Sequence, residues 1–127
     1  MKYLILIYGN PQSRALWESF SDAERARGWA AYAALNDELS ASGELVVSEA
    51  MADASLAKRV AVRDGAIVTT DGPFAEAKEL LAGIYLVECA GAERAVEIAG
   101  KIPEAEYGLV EVRPVLNLSE LSEQPQG

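Results

Sequence analysis

The chain has 127 residues, half of them hydrophobic, and a single cysteine, so it fits one domain whose core needs neither a metal nor a disulfide. Its 11 basic and 20 acidic residues give a net charge of −9, which argues against a nucleic-acid partner because phosphate binding needs clustered Lys and Arg. Residues 3–8 are too short for the apolar part of a signal peptide, and no run approaches the roughly 20 apolar residues of a membrane span. We therefore expect a cytoplasmic protein with no membrane partner.

The first third of the chain predicts a strand, a helix and a second strand. Residues 2–8 form a continuous apolar run bounded by a turn sequence, the pattern of a strand covered on both faces. Ser21 and Glu24 have the spacing of a capping box, which predicts a helix start that Gly43 later ends. Residues 45–51 read as the second strand. One face of the helix is formed by Gly28, Tyr32, Leu35 and Leu39.

A hairpin is predicted in the middle of the chain. Residues 59–63 and 66–70 flank Asp64-Gly65, a dipeptide that suits the positive φ angles of a two-residue turn. Asp71 directly follows the second strand of this hairpin.

The last third predicts a strand, a helix and a final strand. Residues 83–89 form the strand, and Cys89 at its end is expected to be a buried, inert thiol. The helix stops at Pro103, and residues 107–113 form the last strand. Ala95, Ile98, Ala99 and Ile102 mark the buried face of this helix.

This order predicts an α+β fold with a ferredoxin-like plan, in which a hairpin separates two strand-helix-strand halves with right-handed crossovers around an antiparallel sheet. The two helices can cover only one face of a sheet of four or five strands, yet residues 3–8 and 84–87 are apolar on both faces. A second copy of the chain, packed sheet against sheet, would cover the other face. We expect one domain over residues 1–118 and a flexible polar tail over residues 119–127.

Residues 70–79, a turn sequence dense in charged side chains, are the predicted functional site. Pro73 has a fixed φ and restricts Gly72 before it, so the corner that follows Asp71 is stiff. One interpretation makes Asp71 a positioned carboxylate, either a general base or a ligand contact. The alternative makes it a turn residue that bonds its own backbone.

The rest of this stretch has two interpretations as well. Phe74 is expected to anchor the core or the dimer, in preference to stacking on a ligand. If residues 75–81 form a helical turn, Glu76 and Glu79 share a face. This charged run is either a solvated surface or a set in which Glu76 or Lys78 joins the preceding aspartate around one pocket.

Three further residues on predicted strands are candidates for ligand contacts. Arg113 can form a structural ion pair with Asp71 or receive an anionic ligand across a dimer. Tyr8 and Tyr85 can line a cleft, although packing in the core is the default role of a strand tyrosine.

The motif Thr70-Asp71-Gly72-Pro73-Phe74-Ala75-Glu76-Ala77-Lys78-Glu79 resembles the signature of the DGPF, or YCII-related, domain family. The apolar start at residues 1–8 and the end at residues 110–115 are also similar to that family, so the resemblance covers residues 1–115. It implies a dimeric α+β barrel whose biochemical role is mostly undetermined. It also implies an association with extracytoplasmic-function sigma factors.

The chain has no histidine, which limits the chemistry that the resemblance implies. Some members of the wider group are thought to be enzymes because they carry a histidine and an aspartate that precedes a proline. Here Ile102 precedes Pro103, so that pair cannot be carried over. Without histidine, zinc ligation and neutral-pH acid/base chemistry lose their commonest residue, and no phosphate loop or dinucleotide motif is present, so we predict no cofactor and no metal.

Three functions follow as hypotheses. The first is a homodimeric ligand-binding or regulatory module whose cleft is formed by residues 71–79 and Arg113. The second is an enzyme acting on a small organic substrate, with Asp71 as base and Lys78 or Arg113 stabilising negative charge. The third is a structural or protein-interaction dimer, and the fold by itself does not choose among them.

Overall fold

The computed structural model describes residues 1–119, so the predicted tail lies outside the described residues except for its first residue. The strands are β1 Lys2–Gly9, β2 Leu45–Ala50, β3 Lys58–Arg63, β4 Ala66–Asp71, β5 Leu80–Glu88 and β6 Val110–Pro114. The α-helices are α1 Pro11–Ser19, α2 Asp22–Ser42 and α3 Ala92–Gly100, and short 3-10 helices cover Ala54–Leu56 and Pro103–Tyr107.

Four strands form the main sheet in the order β2-β5-β1-β6, with every neighbouring pair antiparallel. Helices connect β1 to β2 and β5 to β6, and each connection passes over a strand of the other half. This is the predicted α+β, ferredoxin-like arrangement. Among residues 1–119, strands β3 and β4 do not join it and pair only with each other, as a separate two-stranded sheet.

Side-chain caps explain where the first two helices begin. The Ser21 hydroxyl accepts from the Glu24 backbone N–H at 3.2 Å, and the Ser21 N–H donates to Glu24 Oε1 at 2.9 Å, which confirms the predicted capping box. Helix α1 was not predicted. Asn10 accepts from the Ser13 N–H at 2.7 Å, and Pro11 occupies the first helical position, so the signal was an N-cap followed by proline.

The core lies between one face of the main sheet and helices α2 and α3. The predicted face of α3 is fully buried there, and Leu35 and Leu39 of the predicted α2 face are buried with it. Tyr32 packs against this cluster while partly exposed, and Gly28 faces Trp17 instead. Cys89 is buried as expected. The fully buried set also takes alternate residues from β1 and β5, namely Tyr3, Ile5, Ile7, Tyr85 and Val87.

The opposite face of the main sheet carries apolar residues that the core cluster does not include. Strand register places side chains on this face in two rows, because directly paired residues point to the same side of a sheet. We call it the open face. Its rows are Val47, Leu86, Leu4 and Arg113, and then Glu49, Ile84, Leu6 and Glu111. The four central leucine and isoleucine side chains are only half-buried, so this protomer leaves an apolar strip in contact with water.

A bidentate ion pair ties helix α3 to the start of β2. Arg94 Nη2 donates to Glu44 Oε1 at 2.8 Å, and Arg94 Nε donates to Oε2 at 3.0 Å. These bonds, with one from the Ser42 hydroxyl, lower the pKa of Glu44 from 4.5 to about 2. Because the folded pKa is depressed, the stabilisation is complete above the unfolded pKa and is lost as pH falls toward the folded value.

We expect Glu44→Gln to lower the unfolding temperature by a few degrees near neutral pH. The difference from the parent protein should shrink as pH falls from 4.5 toward about 2, since the parent then loses the same charge. Thermal unfolding followed by circular dichroism across this pH range measures both effects. Glu93→Gln, on the first turn of α3, is the matched control. A gap between Glu44→Gln and the parent that stays constant with pH would contradict the assignment.

Candidate functional site

Asp71 lies at the base of the β3–β4 hairpin, where it is the last residue of β4. It pairs across the hairpin with Lys58, and Lys58 Nζ lies 2.7 Å from Asp71 Oδ1. The Asp71 side chain is 82% exposed. Gly72 follows with φ of 87°, a value that favours glycine, and donates its N–H to the Ala57 carbonyl at 2.7 Å. The motif therefore closes the base of the hairpin.

Phe74 lies beside the hairpin and is 65% exposed in the protomer, so it does not anchor this protomer's core. The guanidinium of Arg59, on β3, stands over its ring with Cζ 5.2 Å from the centroid. This is a cation–π contact, which adds a modest attraction and holds both side chains on one side of the hairpin. Sequence reasoning did not single out Arg59.

The stretch between Phe74 and β5 is a turn and not a helix. The Ala77 N–H donates to the Phe74 carbonyl at 3.1 Å, and β5 already begins at Leu80. The shared helical face expected for Glu76 and Glu79 is therefore not formed. The reason is that Leu80 and the residue after it pair with the end of β1, which draws the chain into the sheet.

A cavity of about 530 Å³, shallow and widely open to solvent, lies at the end of β1 nearest this turn. Tyr8, Glu79 and Glu111 supply its polar side chains, and residues 108–110 complete its wall. The Tyr8 hydroxyl donates to Glu111 Oε1 at 3.0 Å. Partial burial raises the pKa of Tyr8, and the bond to Glu111 raises it further, so the phenol keeps its proton and stays a donor.

A second cavity of about 450 Å³ lies on the other side of the same turn. Its wall includes Lys78 and Glu79 together with the start of helix α1 at residues 10–12. Glu79 thus contributes to both cavities. The helix that sequence reasoning missed is the element that forms this second wall.

The remaining predicted site residues lie elsewhere. Asp71, Gly72, Pro73, Phe74 and Glu76 line neither of these two cavities. Tyr85 is in the core with 2% of its surface exposed, on the helix-covered face of the sheet. Arg113 lies on the open face opposite Leu4. Its positive charge lowers the pKa of Tyr8 and so opposes the rise caused by Glu111 and Glu79. Within residues 1–119 Asp71 pairs with Lys58, and it makes no ion pair with Arg113.

Glu79 and Glu111 are the charged residues of these cavities that the sequence-based set of ligand contacts did not include. Glu79 belonged to the motif but was read as surface charge. Glu111 had a usable signal, since it lies two residues before Arg113 on a predicted strand and therefore on the same face.

No group of three or more Cys, Asp or Glu side chains within residues 1–119 is arranged to hold a metal ion. No helix in the same range has the length and apolar character needed to cross a membrane.

The comparisons with known proteins agree with one another. The model of the YCII-related domain matches residues 1–119. An uncharacterized protein of Rhizobium meliloti (strain 1021) is 29% identical over 117 residues, which is 91% of this chain and 92% of that protein. Since the family match extends over nearly the whole sequence, the chain belongs to the YCII-related domain family.

Proposed function

We propose that the protein is a cytoplasmic homodimer that binds a small polar molecule in the cavity formed by Tyr8, Glu79 and Glu111. The observation that carries this proposal is the cavity itself. Its volume of about 530 Å³ lies in the range of small-molecule sites, roughly 300–1,000 Å³. Three polar side chains from three different elements converge on it, which is the arrangement expected of a site that orients a ligand.

The chemistry of these groups indicates what kind of ligand would fit. Ionised carboxylates accept hydrogen bonds and cannot donate them, and the Tyr8 proton is already directed at Glu111. A ligand that offers N–H or O–H donors to Glu79 and Glu111 would match this lining. We therefore expect a small molecule that carries hydrogen-bond donors.

Binding is favoured over turnover by the position of the predicted base. A general base must lie within hydrogen-bond reach of its substrate, and Asp71 lies at the hairpin base instead of lining the cavity. The chain also lacks histidine. The enzyme hypothesis, the purely structural dimer and the link to sigma factors remain predictions from the sequence and its resemblance.

The homodimer is supported by the open face. Leu4, Leu6, Ile84 and Leu86 form a contiguous apolar strip that the protomer leaves half-exposed. Burial of such a strip is favourable at about 25 cal/mol per Å², and a second copy offers an identical, self-complementary strip. Packing of the two open faces would give the dimeric barrel that the resemblance implied.

A thermal-shift screen against small metabolites tests the binding site. A ligand present at a hundred times its dissociation constant adds about 2.7 kcal/mol, which raises the midpoint by several degrees in a domain of this size. We expect Glu111→Gln and Tyr8→Phe to reduce the shift given by a hit compound. Tyr107→Phe, which changes an exposed tyrosine outside the cavity, should keep the full shift. A hit that survives the cavity variants but disappears in Asp71→Asn would move the site to the hairpin base.

A further inference from the structure

The β3–β4 hairpin, residues 58–71, is an arm that makes little contact with the rest of its own protomer. It forms its own two-stranded sheet. Of its 14 residues, Arg59 is half-buried and the others are exposed. Isolated two-stranded hairpins are marginally stable in water and normally gain stability by packing against something else. The arm is nevertheless a regular ladder from the Lys58–Asp71 pair to the turn.

One face of the arm is apolar and open to water. Val62 pairs directly with Ile67, and Val60 pairs with Thr69 beside them, so these four side chains share a face. Val60, Val62 and Ile67 are 66%, 69% and 74% exposed. β-branched residues at such exposure on a two-stranded ribbon favour association, because they present both apolar surface and unpaired strand edges.

The charge of the arm differs from that of the rest of the chain. Residues 58–71 hold three of the 11 basic residues but only two of the 20 acidic ones, so the arm carries a net charge of +1 and the remaining chain −10. A surface complementary to the arm is therefore acidic with apolar area. A second copy of this chain is such a surface, because outside its arm it carries a net charge of −10 and exposes apolar side chains such as Leu16 and Met51.

Arg59 adds an unpaired donor at the base of the arm. Its Nε is buried and has no hydrogen-bond partner among residues 1–119, while its guanidinium stacks on the exposed ring of Phe74. Arg59 shares the Ala61 and Val68 face of the arm, opposite the Val60, Val62 and Ile67 face. Its stacking on Phe74 therefore fixes the base of the arm and leaves the apolar face open.

The arm is long enough to reach across a neighbouring subunit. Each of its strands has six residues, which corresponds to roughly 20 Å at 3.3 Å per residue. The main sheet of four strands is about 14 Å wide between its outer strands.

We propose that the arm is an intersubunit clasp: each protomer lays the Val60, Val62 and Ile67 face of its arm on the second copy of the chain. The clasp rests on the homodimer proposed above and adds a second contact to the open faces. In a two-fold dimer the contact occurs twice, once for each arm. It also explains why the motif residues Gly72 and Phe74 brace the base of the arm instead of lining a cavity.

Paired charge variants on the two faces of the arm test the clasp. Sedimentation equilibrium of Val62→Glu/Ile67→Glu should give a dimer dissociation constant at least about 100-fold above that of the parent, because four apolar side chains per dimer become charged. The matched control Ala61→Glu/Val68→Glu adds the same charge at a directly paired position on the opposite face of the arm. It should change the constant less than about threefold.

These variants separate the clasp from the dimer itself. If the parent dimerises and an open-face variant such as Leu4→Glu weakens it, but Val62→Glu/Ile67→Glu does not, the clasp is wrong and the dimer stands. If the parent is a monomer at every concentration, both proposals are wrong. Circular dichroism verifies that each variant is folded. We expect the arm variants to fold because the arm makes few contacts with the rest of its protomer.

Cross-linking identifies the surface that the arm contacts. Thr69→Cys, on the apolar face of the arm, can be labelled with benzophenone maleimide while Cys89 stays buried. In a mixture of ¹⁴N and ¹⁵N chains, the clasp predicts photo-cross-linked peptides that combine the two isotopes. Cross-links confined to peptides of one isotope would mean that the arm folds onto its own protomer, and they would overturn the proposal.

Discussion

Leu4→Glu should convert the proposed dimer to a monomer at micromolar concentrations while the protomer stays folded. Leu4 is in the centre of the open face, between Leu86 on β5 and Arg113 on β6. In the free protomer the new carboxylate would lie opposite Arg113, a favourable cross-strand pair. In a face-to-face dimer it would lose its water.

The size of this effect follows from the two-fold symmetry. Each interface contains the substituted residue twice, and each lost leucine removes about 1.5–3 kcal/mol of burial. The total of roughly 3–6 kcal/mol corresponds to a rise of about 10²- to 10⁴-fold in the dissociation constant. Sedimentation equilibrium measures it directly.

Val96→Glu is the matched control for this substitution. Val96 is 60% exposed on helix α3, away from the open face, so the same change in charge should leave the dissociation constant unaltered. A Leu4→Glu protein as dimeric as the parent would show that the open face is not the interface.

Leu39→Ala should cost about 2–5 kcal/mol of the free energy of unfolding, the largest loss of stability that we expect from a single substitution here. Leu39 is fully buried, and it comes from the last turn of α2 and belongs to the same cluster as Ile5 and Val87. Truncation removes three carbon atoms from this cluster and leaves a cavity that the neighbouring side chains fill only partly. Domains of this size are stable by only about 5–15 kcal/mol, so the variant should be close to the limit of folding.

Urea denaturation at one fixed protein concentration measures this loss, since a dimer's stability depends on concentration. The midpoint should fall while the slope stays the same. Leu56→Ala, at a leucine that is 72% exposed, should change the free energy by no more than about 0.5 kcal/mol. A loss below about 1 kcal/mol for Leu39→Ala would contradict the packing of α2 against this core.

Much of the fold could be predicted from the sequence because the patterns that specify it are local. The continuous apolar run of β1, the capping box at Ser21 and the Asp64-Gly65 turn each depend on residues within a few positions of one another. Helix α1 was missed although Asn10 and Pro11 carried a capping signal, because its amphipathic face buries no residue fully and so gives no strong periodicity. The helical turn that was one option for residues 75–81 does not form, because pairing with β1 overrides a weak local preference.

The candidate site was predicted only in part, since it depends on distances that spacing does not encode. Tyr8 and Lys78, two of the predicted ligand contacts, each line a cavity. Glu111 joins Tyr8 from 103 positions away because β6 pairs with β1. Asp71 was noticeable in the sequence because a stiff corner follows it. Its partner, however, is set by the register of the hairpin, which places Lys58 directly across from it.

By itself the sequence determined the fold class, the faces of the helices, the turn of the hairpin and the need for something to cover a second apolar face of the sheet. These properties follow from hydrophobic periodicity and from backbone preferences, which act over a few residues. Only the tertiary structure decided that the hairpin leaves the main sheet as a separate arm, that Tyr8 meets Glu111, and that Arg59 stacks on Phe74. Those contacts join residues that are distant in the chain, and they arise from strand order and register, which no short stretch of sequence specifies.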